Sequence, residues 1–196
     1  KPSAAELAAF KQQVVAERAL PGPVVDFLRA AAPTLKAGTA VPMDVLRTGV
    51  SILGHFDREC QDSSPAANLR KAVRLLAKTP TIIGHMQNLI DGREIVGREK
   101  GGDPNLSLAG NLLYMMTGAR PSPEAEHVMD VSLILYAEHD YNASTFTSRV
   151  IAGTLSDMHG AVTGAIAALK GPLHGGANEA AMDMLKEIRV FVEGGK

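Results

Sequence analysis

The spacing of apolar residues constrains this chain most, because it follows the repeat of an α-helix along almost the whole length. Near the start, Leu7, Phe10 and Val14 are separated by three and four positions, which places them on one face of a helix. Strand-like alternation of apolar and polar residues is absent over any length. Aromatic residues, which favour strands, make up only 4% of the sequence. The sequence therefore predicts an all-α protein.

Capping residues and helix breakers divide this pattern into segments. Ser3 and Glu6 have the spacing of a capping box, Pro42 suits a first helical turn, and Gly118 suits a helix end. Thr79-Pro80 is expected to interrupt or kink one long helix. The predicted helices cover residues 3–18, 24–31, 42–53, 66–90, 107–117, 121–137, 143–156, 157–170 and 178–188. Loops are expected to begin at Ala32-Pro33, to cover residues 57–64, and to cover a charged, mobile stretch at residues 92–105.

Composition excludes several classes of function. Hydrophobic residues are 45% of the chain, enough for a sizeable core, and 20 basic residues nearly balance 21 acidic ones. Without a dense run of Lys or Arg, we expect neither nucleic-acid binding nor attraction to membranes. The single cysteine, Cys60, cannot form an internal disulfide, and the first residues do not resemble a signal peptide, so we expect a cytoplasmic protein. Residues 150–169 are apolar, but Asp157 and His159 argue against a membrane span.

Small residues recur at helical spacing near Gly160 and Gly164, with alanines beside them. This pattern lets two helix backbones approach closely. The partner helix could belong to the same chain or to a second subunit of a dimer, and the sequence favours neither.

Four of the six histidines carry no pattern that indicates chemistry. His55, His85 and His159 lack suggestive neighbours in the sequence, so structural roles are expected for them. His127 follows Glu124 at the Glu-x-x-His spacing of di-iron bundles, but such bundles need a second copy of the motif. No Cys/His cluster has the spacing of zinc ligands. The sequence therefore predicts no metal ligand.

The other two histidines lie among residues suited to a site. His139 is in YAEHDYNASTF, where polar groups at a helix junction could bind a small polar ligand or could be a solvated helix end. His174 is in GPLHGGANEAAMDML, where Gly175 and Gly176 allow unusual backbone conformations. The positive end of the following helix should favour a neutral imidazole. Such a ring can donate a hydrogen bond to an oxygen that gains negative charge, or it can be a loop residue without a role.

These two segments resemble a known family. GPLHGGANEAAMDMLKEI is similar to the catalytic-histidine motif of citrate synthases and 2-methylcitrate synthases, and YAEHDYNASTFTSRVIAGTLSD is similar to their oxaloacetate-binding segment. The two histidines are 35 residues apart, as in bacterial and archaeal members. VPMDVLRTGVSILG and NLSLAGNLLYMMTG resemble weaker family patterns, so the resemblance covers most of residues 1–188.

The resemblance implies a Claisen-type condensation of acetyl-CoA with oxaloacetate and water, which gives citrate and CoA without a further cofactor. It implies that His174 stabilises the thioester enol or enolate, that His139 binds oxaloacetate, and that Asn142 and Ser144 support the two imidazoles. Leu173 and Gly175 would contact CoA. The resemblance also implies an almost entirely helical homodimer with two domains and an active site in the cleft between them.

The resemblance also has gaps. A further family histidine, the catalytic aspartate and the substrate-binding arginines have no matching motifs here, so we expect an incomplete chain. Residues 1–177 would belong to the large domain and residues 178–196 would begin the small one. Two alternatives stay open: a 2-methylcitrate synthase that uses propionyl-CoA, and a non-catalytic helical dimerisation module. The resemblance favours citrate over 2-methylcitrate at position 173, because family members that use propionyl-CoA often have Lys where this chain has Leu173.

Overall fold

All regular secondary structure in the described part of the chain is helical, as predicted. The computed structural model describes residues 1–93 and 101–194. In these ranges lie the helices α1 (Ala4–Ala16), α2 (Gly22–Lys36), α3 (Pro42–His55), α4 (Pro65–Ile90), α5 (Leu108–Thr117), α6 (Pro123–Tyr136), α7 (Ala143–Gly153), α8 (Met158–Leu169) and α9 (Gly176–Gly194). Residues 94–100 of the predicted mobile loop lie outside the described residues.

Side-chain caps fix where several helices begin. The capping box predicted at α1 is confirmed: the Ser3 hydroxyl accepts from the Glu6 amide, and the Glu6 carboxylate accepts from the Ser3 amide at 2.7 Å. Comparable caps come from Ser64, Ser107, Ser122, Asn142 and Asp157. Gly118 ends α5 in the left-handed conformation, with φ of 80°, as expected for a glycine cap.

Two prolines lie inside continuous helices. The loop expected from Ala32-Pro33 is absent, because α2 continues through Pro33 to Lys36 and ends before Gly38, whose φ is +67°. Likewise α4 is not interrupted at Thr79-Pro80. A proline inside a helix removes one backbone hydrogen bond, and burial of Leu35 in α2 and of Ile82 in α4 offsets this loss.

Helices α7 and α9 also differ from their predicted lengths. α7 ends at Gly153, three residues early, because Leu155 has a φ of 65° in the turn that reverses the chain toward α8. α9 is longer than predicted at both ends. Turn geometry and capping decide such boundaries, and hydrophobic spacing alone does not reveal them.

The main core is formed by α2, α3 and α4, with α8 packed against α3. Val24, Leu28, Val50 and Ile82 are fully buried there, and Ile166 joins them from α8. A smaller cluster joins α1, α4 and α5. This packing fixes α8 on the body of the protein, and the candidate site is built on α8.

Helix α7 packs along α8 through a glycine. A methyl group on Gly164 would lie 2.2 Å from Ile151 Cδ1 and 3.4 Å from Thr147 Cγ2, so the glycine lets the side chains of α7 pack closely on α8. For Gly164, packing within the chain is therefore confirmed.

Three helices leave apolar side chains exposed. Neither α6 nor α7 buries a residue completely, and the described side chains of α9 from Ala180 onward are exposed. Large examples are Leu135, Tyr136, Phe146 and Phe191. Such surfaces are unusual on a protein that functions alone. No helix within the described ranges has the length and apolar character needed to cross a membrane.

Candidate functional site

His174 lies in a tight turn between α8 and α9. Its amide donates to the Gly171 carbonyl at 2.9 Å, and the Gly175 amide donates to the same carbonyl at 3.0 Å. The His174 side chain is partly exposed, and the neighbouring Leu173 is fully exposed. A ligand can therefore reach the imidazole from solvent.

A glycine is required at position 175 because the backbone of the turn passes close to the end of α8 there, and not because of its φ angle. A methyl group at this position would lie 2.0 Å from the carbonyl oxygen of Leu169, the last residue of α8. Neither Gly175 nor Gly176 has a φ in the left-handed region, so the expectation of unusual backbone conformations is wrong. The absence of a Cβ at Gly175 lets the His174 turn fold back onto α8.

Ser144 holds the His174 ring. Its hydroxyl oxygen lies 2.8 Å from His174 Nε2 and 2.9 Å from the Ala165 carbonyl oxygen of α8. Ser144 stands in the first turn of α7, which Asn142 caps by accepting from the Thr145 amide at 2.9 Å. The sequence predicted that Ser144 lies beside an imidazole, and the structure brings the two together.

The hydroxyl proton of Ser144 decides which ring nitrogen can act on a ligand. If the hydroxyl donates to the Ala165 carbonyl, it can only accept from His174 Nε2–H, and Nδ1 of a neutral ring is then an acceptor. If it donates to Nε2, then Nδ1 carries the ring proton and can donate to a ligand. Both arrangements fit the observed distances.

His139 lies in the exposed turn between α6 and α7. Asp140 beside it has a φ of 50°, and its amide donates to the Glu138 carboxylate at 2.7 Å. The turn places His139 three residues before Asn142, the residue that caps α7. Asn142 was predicted to support an imidazole, and its side-chain oxygen is engaged in that cap.

Sequence reasoning missed two features of this region. One is the Ala165 carbonyl, which shares the Ser144 hydroxyl and which no side-chain pattern could reveal. The other is a cluster at the opposite end of α8, where Cys60, Asp157 and His159 meet although no metal ligand was predicted. Cys60 and His159 are 99 positions apart, so their spacing carries no local signal.

Comparisons with known proteins cover the residues of this site. A family model described as "Citrate synthase, C-terminal domain" matches residues 1–191. The citrate synthase of Heyndrickxia coagulans is 44% identical over 195 residues, which are 100% of this chain and 50% of that protein. The 2-methylcitrate synthase of Shewanella oneidensis is 44% identical over 188 residues, 96% of this chain and 47% of that protein.

A solved structure agrees with the fold. Citrate synthase from the thermophilic archaeon Thermoplasma acidophilum, in a ternary complex with carboxymethyl coenzyme A and oxaloacetate, superposes with a TM-score of 0.85 at 27% identity. The match covers 95% of this chain and 46% of that one.

The all-helical fold and these matches together place the chain among proteins of the citrate synthase type. The chain belongs to the citrate synthase family. It spans about half the length of the curated relatives it matches.

Proposed function

We propose that the protein containing this chain condenses acetyl-CoA with oxaloacetate and water to give citrate and CoA. Relatives named citrate synthase match the whole chain, and the bond between Ser144 and His174 is the observation that carries the proposal. We propose that this reaction uses no metal or prosthetic group.

His174 is proposed to act on the acyl thioester. A carboxylate base, expected in the portion of the relatives that this chain does not match, takes a proton from the acetyl methyl group. The thioester oxygen gains negative charge as the enol or enolate forms. A hydrogen bond from His174 Nδ1–H strengthens as that charge develops and so lowers the barrier. For a neutral ring, this requires the arrangement in which Ser144 donates to Nε2.

The second half of the reaction follows from the first. The enolate carbon attacks the ketone carbon of oxaloacetate, a carbon–carbon bond forms, and the ketone oxygen takes up a proton. Water then attacks the thioester carbonyl, and the carbon–sulfur bond breaks to release CoA and citrate.

We assign oxaloacetate binding and polarisation of its ketone to His139. We assign contacts with CoA to Leu173 and Gly175, since these residues flank His174 and Leu173 is fully exposed.

The full-length protein provides the test. With acetyl-CoA and oxaloacetate it should release CoA and form citrate, and His174→Ala should lower turnover by about a hundredfold or more. His127→Ala is the matched control, because His127 is exposed on α6. Turnover in His174→Ala equal to that of the control would refute the proposed role of His174.

Propionyl-CoA is the alternative acyl substrate. The Shewanella oneidensis relative is named 2-methylcitrate synthase and is as similar to this chain as the citrate synthase from Heyndrickxia coagulans. The same steps would then give 2-methylcitrate. A ratio of kcat/KM values that favours acetyl-CoA supports the first assignment, and a ratio that favours propionyl-CoA replaces it with the second.

We further propose that the protein is a homodimer. The exposed apolar residues of α6 and α7 support this assignment, because their burial against a second copy would remove them from water.

A further inference from the structure

Three potential metal ligands meet where the loop after α3 touches the start of α8. The Cys60 thiol, one carboxylate oxygen of Asp157 and Nδ1 of His159 lie within 4.8 Å of one another. Cys60 Sγ is 4.0 Å from His159 Nδ1, and Asp157 Oδ1 is 3.9 Å from the same nitrogen.

We propose that Cys60, Asp157 and His159 form a site for a zinc ion. Thiolate, imidazole and carboxylate are the donor types that zinc takes in proteins. Tetrahedral zinc would hold such atoms roughly 3.3–3.6 Å apart, so the two contacts of His159 Nδ1, at 4.0 and 3.9 Å, would close by about half an ångström. Cys60 and Asp157 are both partly exposed, which leaves a fourth position for water.

The far side of the His159 ring is arranged as in known metal sites. Nε2 faces Asp57 Oδ2 at 3.5 Å, and Arg74 holds that carboxylate with two hydrogen bonds of 2.8 and 2.9 Å. A ligand histidine commonly turns its second nitrogen to a carboxylate, which fixes the tautomer that leaves the other nitrogen free for metal. Here the free nitrogen is Nδ1, the one that faces Cys60 and Asp157.

Neighbouring contacts hold Cys60 and Asp157 in place without a metal. Buried Lys71 donates to the carbonyl oxygen of Cys60 at 3.2 Å and so fixes the loop backbone. Gly54 allows close packing beneath the cluster, since a methyl group there would lie 3.2 Å from His159 Cβ and 3.7 Å from Cys60 Sγ. Asp157 Oδ1, the oxygen that faces His159, also accepts from the Gly160 amide at 2.9 Å, which holds the carboxylate in place and leaves a second lone pair of this oxygen for a ligand.

Charge and protonation also suit a divalent cation. A thiolate and a carboxylate together balance its two charges, while the cations Arg74 and Lys71 are already bound to Asp57, Glu59 and loop carbonyls. Zinc takes a neutral imidazole and a thiolate as ligands, so the thiol proton of Cys60 would be released on binding.

This site is separate from the proposed catalytic histidine. His159 is in the first turn of α8, and the turn of His174 follows its last residue, Leu169, about 15 Å along the helix axis. Zinc here would join the α3–α4 loop to α8, and the chemistry at His174 does not involve it. The inference therefore does not depend on the proposed function.

Cobalt titration of the full-length, metal-free protein tests the site, because Co²⁺ bound to a thiolate gives a charge-transfer absorption band. We expect the band to saturate at about one Co²⁺ per chain, to disappear when Zn²⁺ is added, and to accompany release of about one proton. Cys60→Ser should abolish the band, and Asp157→Asn, which keeps the helix cap, should weaken Co²⁺ binding at least tenfold. His127→Gln serves as the control and should bind like wild type.

Thermal unfolding gives a second measurement. Zinc should raise the Tm of the wild type above its value in a chelator, and should raise that of Cys60→Ser much less. Turnover should stay unchanged in Cys60→Ser, and His174→Ala should still bind Co²⁺. The proposal is overturned if stoichiometric Co²⁺ gives no thiolate band, if the band persists in Cys60→Ser, or if zinc raises both Tm values equally.

Discussion

Ser144 has one hydroxyl proton and two acceptors within reach. The proton can go to the Ala165 carbonyl or to His174 Nε2, and only the second choice leaves a neutral His174 with an Nδ1–H that can donate to substrate. Ser144 is therefore a positioning residue in the proposed reaction, because it sets the orientation and the tautomer of the ring.

Ser144→Ala should lower kcat on the order of tenfold to a hundredfold, because a loosely held ring donates less well to the thioester oxygen. KM for oxaloacetate should change little, and the pH dependence of kcat should shift with the loss of the hydroxyl. Ser148→Ala is the matched control, since that hydroxyl donates to the Thr145 carbonyl within the same helix. An unchanged kcat and pH profile in Ser144→Ala would contradict this role.

Gly175 gives a prediction about backbone packing. Gly175→Ala places a methyl group 2.0 Å from the Leu169 carbonyl oxygen and should push the His174 turn away from α8. We expect a loss of about 1–3 kcal/mol in the free energy of unfolding, together with lower turnover.

Gly176→Ala provides the comparison for this change, because open space surrounds the position where its methyl group would lie. It should leave the free energy of unfolding and turnover near their wild-type values. Equal behaviour of the two variants in chemical denaturation and in the activity assay would remove the packing argument for Gly175.

At this scale the sequence could predict residue types but not their geometry. The motif resemblance indicated His174 and placed Ser144 beside an imidazole. The reason for Gly175 was wrong in the sequence analysis, because a clash with the Leu169 carbonyl depends on how α8 ends. Backbone acceptors such as Ala165 carry no sequence signal at all.

Among the elements, the α3–α4 loop is held by ion pairs that respond to acid. Arg70 and Arg74 both donate to Glu59, and they lower the pKa of its carboxyl to about 2. In the unfolded chain this pKa is about 4.3. The folded state therefore gains stability from ionised Glu59 above about pH 4.3, and loses that gain as the pH falls toward 2.

Glu59→Gln should consequently be less stable than wild type at neutral pH, and the difference should shrink as the pH falls from about 5 to 2. Chemical denaturation across this range measures it, and added salt should reduce the difference because the pair is partly exposed. Glu187→Gln, an exposed change on α9, is the control. A difference independent of pH would mean that Glu59 acts through packing.

The sequence predicted the helices better than their ends. Spacing of apolar residues predicts all nine described helices, because apolar side chains recur along each of them at the helical repeat. The breaker rule misled the prediction at Pro33, and α4 also continues through Pro80, because core burial keeps both helices continuous. Burial depends on the tertiary structure, so a local breaker rule could not anticipate it.

For the whole molecule, the proposed homodimer can be tested on the exposed apolar side chains of α6. Leu135 on α6 is 73% exposed, and Tyr136 beside it is 70% exposed. Leu135→Lys should therefore shift the full-length protein from dimer toward monomer, because a charge would have to be buried in the interface. Asp26→Lys on the exposed face of α2 is the control.

Sedimentation equilibrium reads out this shift as a change in molar mass. A dimer that survives Leu135→Lys unchanged would exclude this part of α6 from the interface.

At the scale of the whole molecule, the sequence predicted a dimer only through the family resemblance. The small residue Gly164 serves packing between α7 and α8 of one chain.

The most direct measurement of the central claim is exchange of the acetyl-CoA methyl protons into deuterated water, catalysed by the full-length protein with malate as an unreactive stand-in for oxaloacetate. This exchange reports formation of the enol or enolate without later steps. If His174 stabilises that species, His174→Ala should slow exchange about a hundredfold or more, while His127→Ala exchanges like wild type. Equal exchange rates in His174→Ala and wild type would contradict the account.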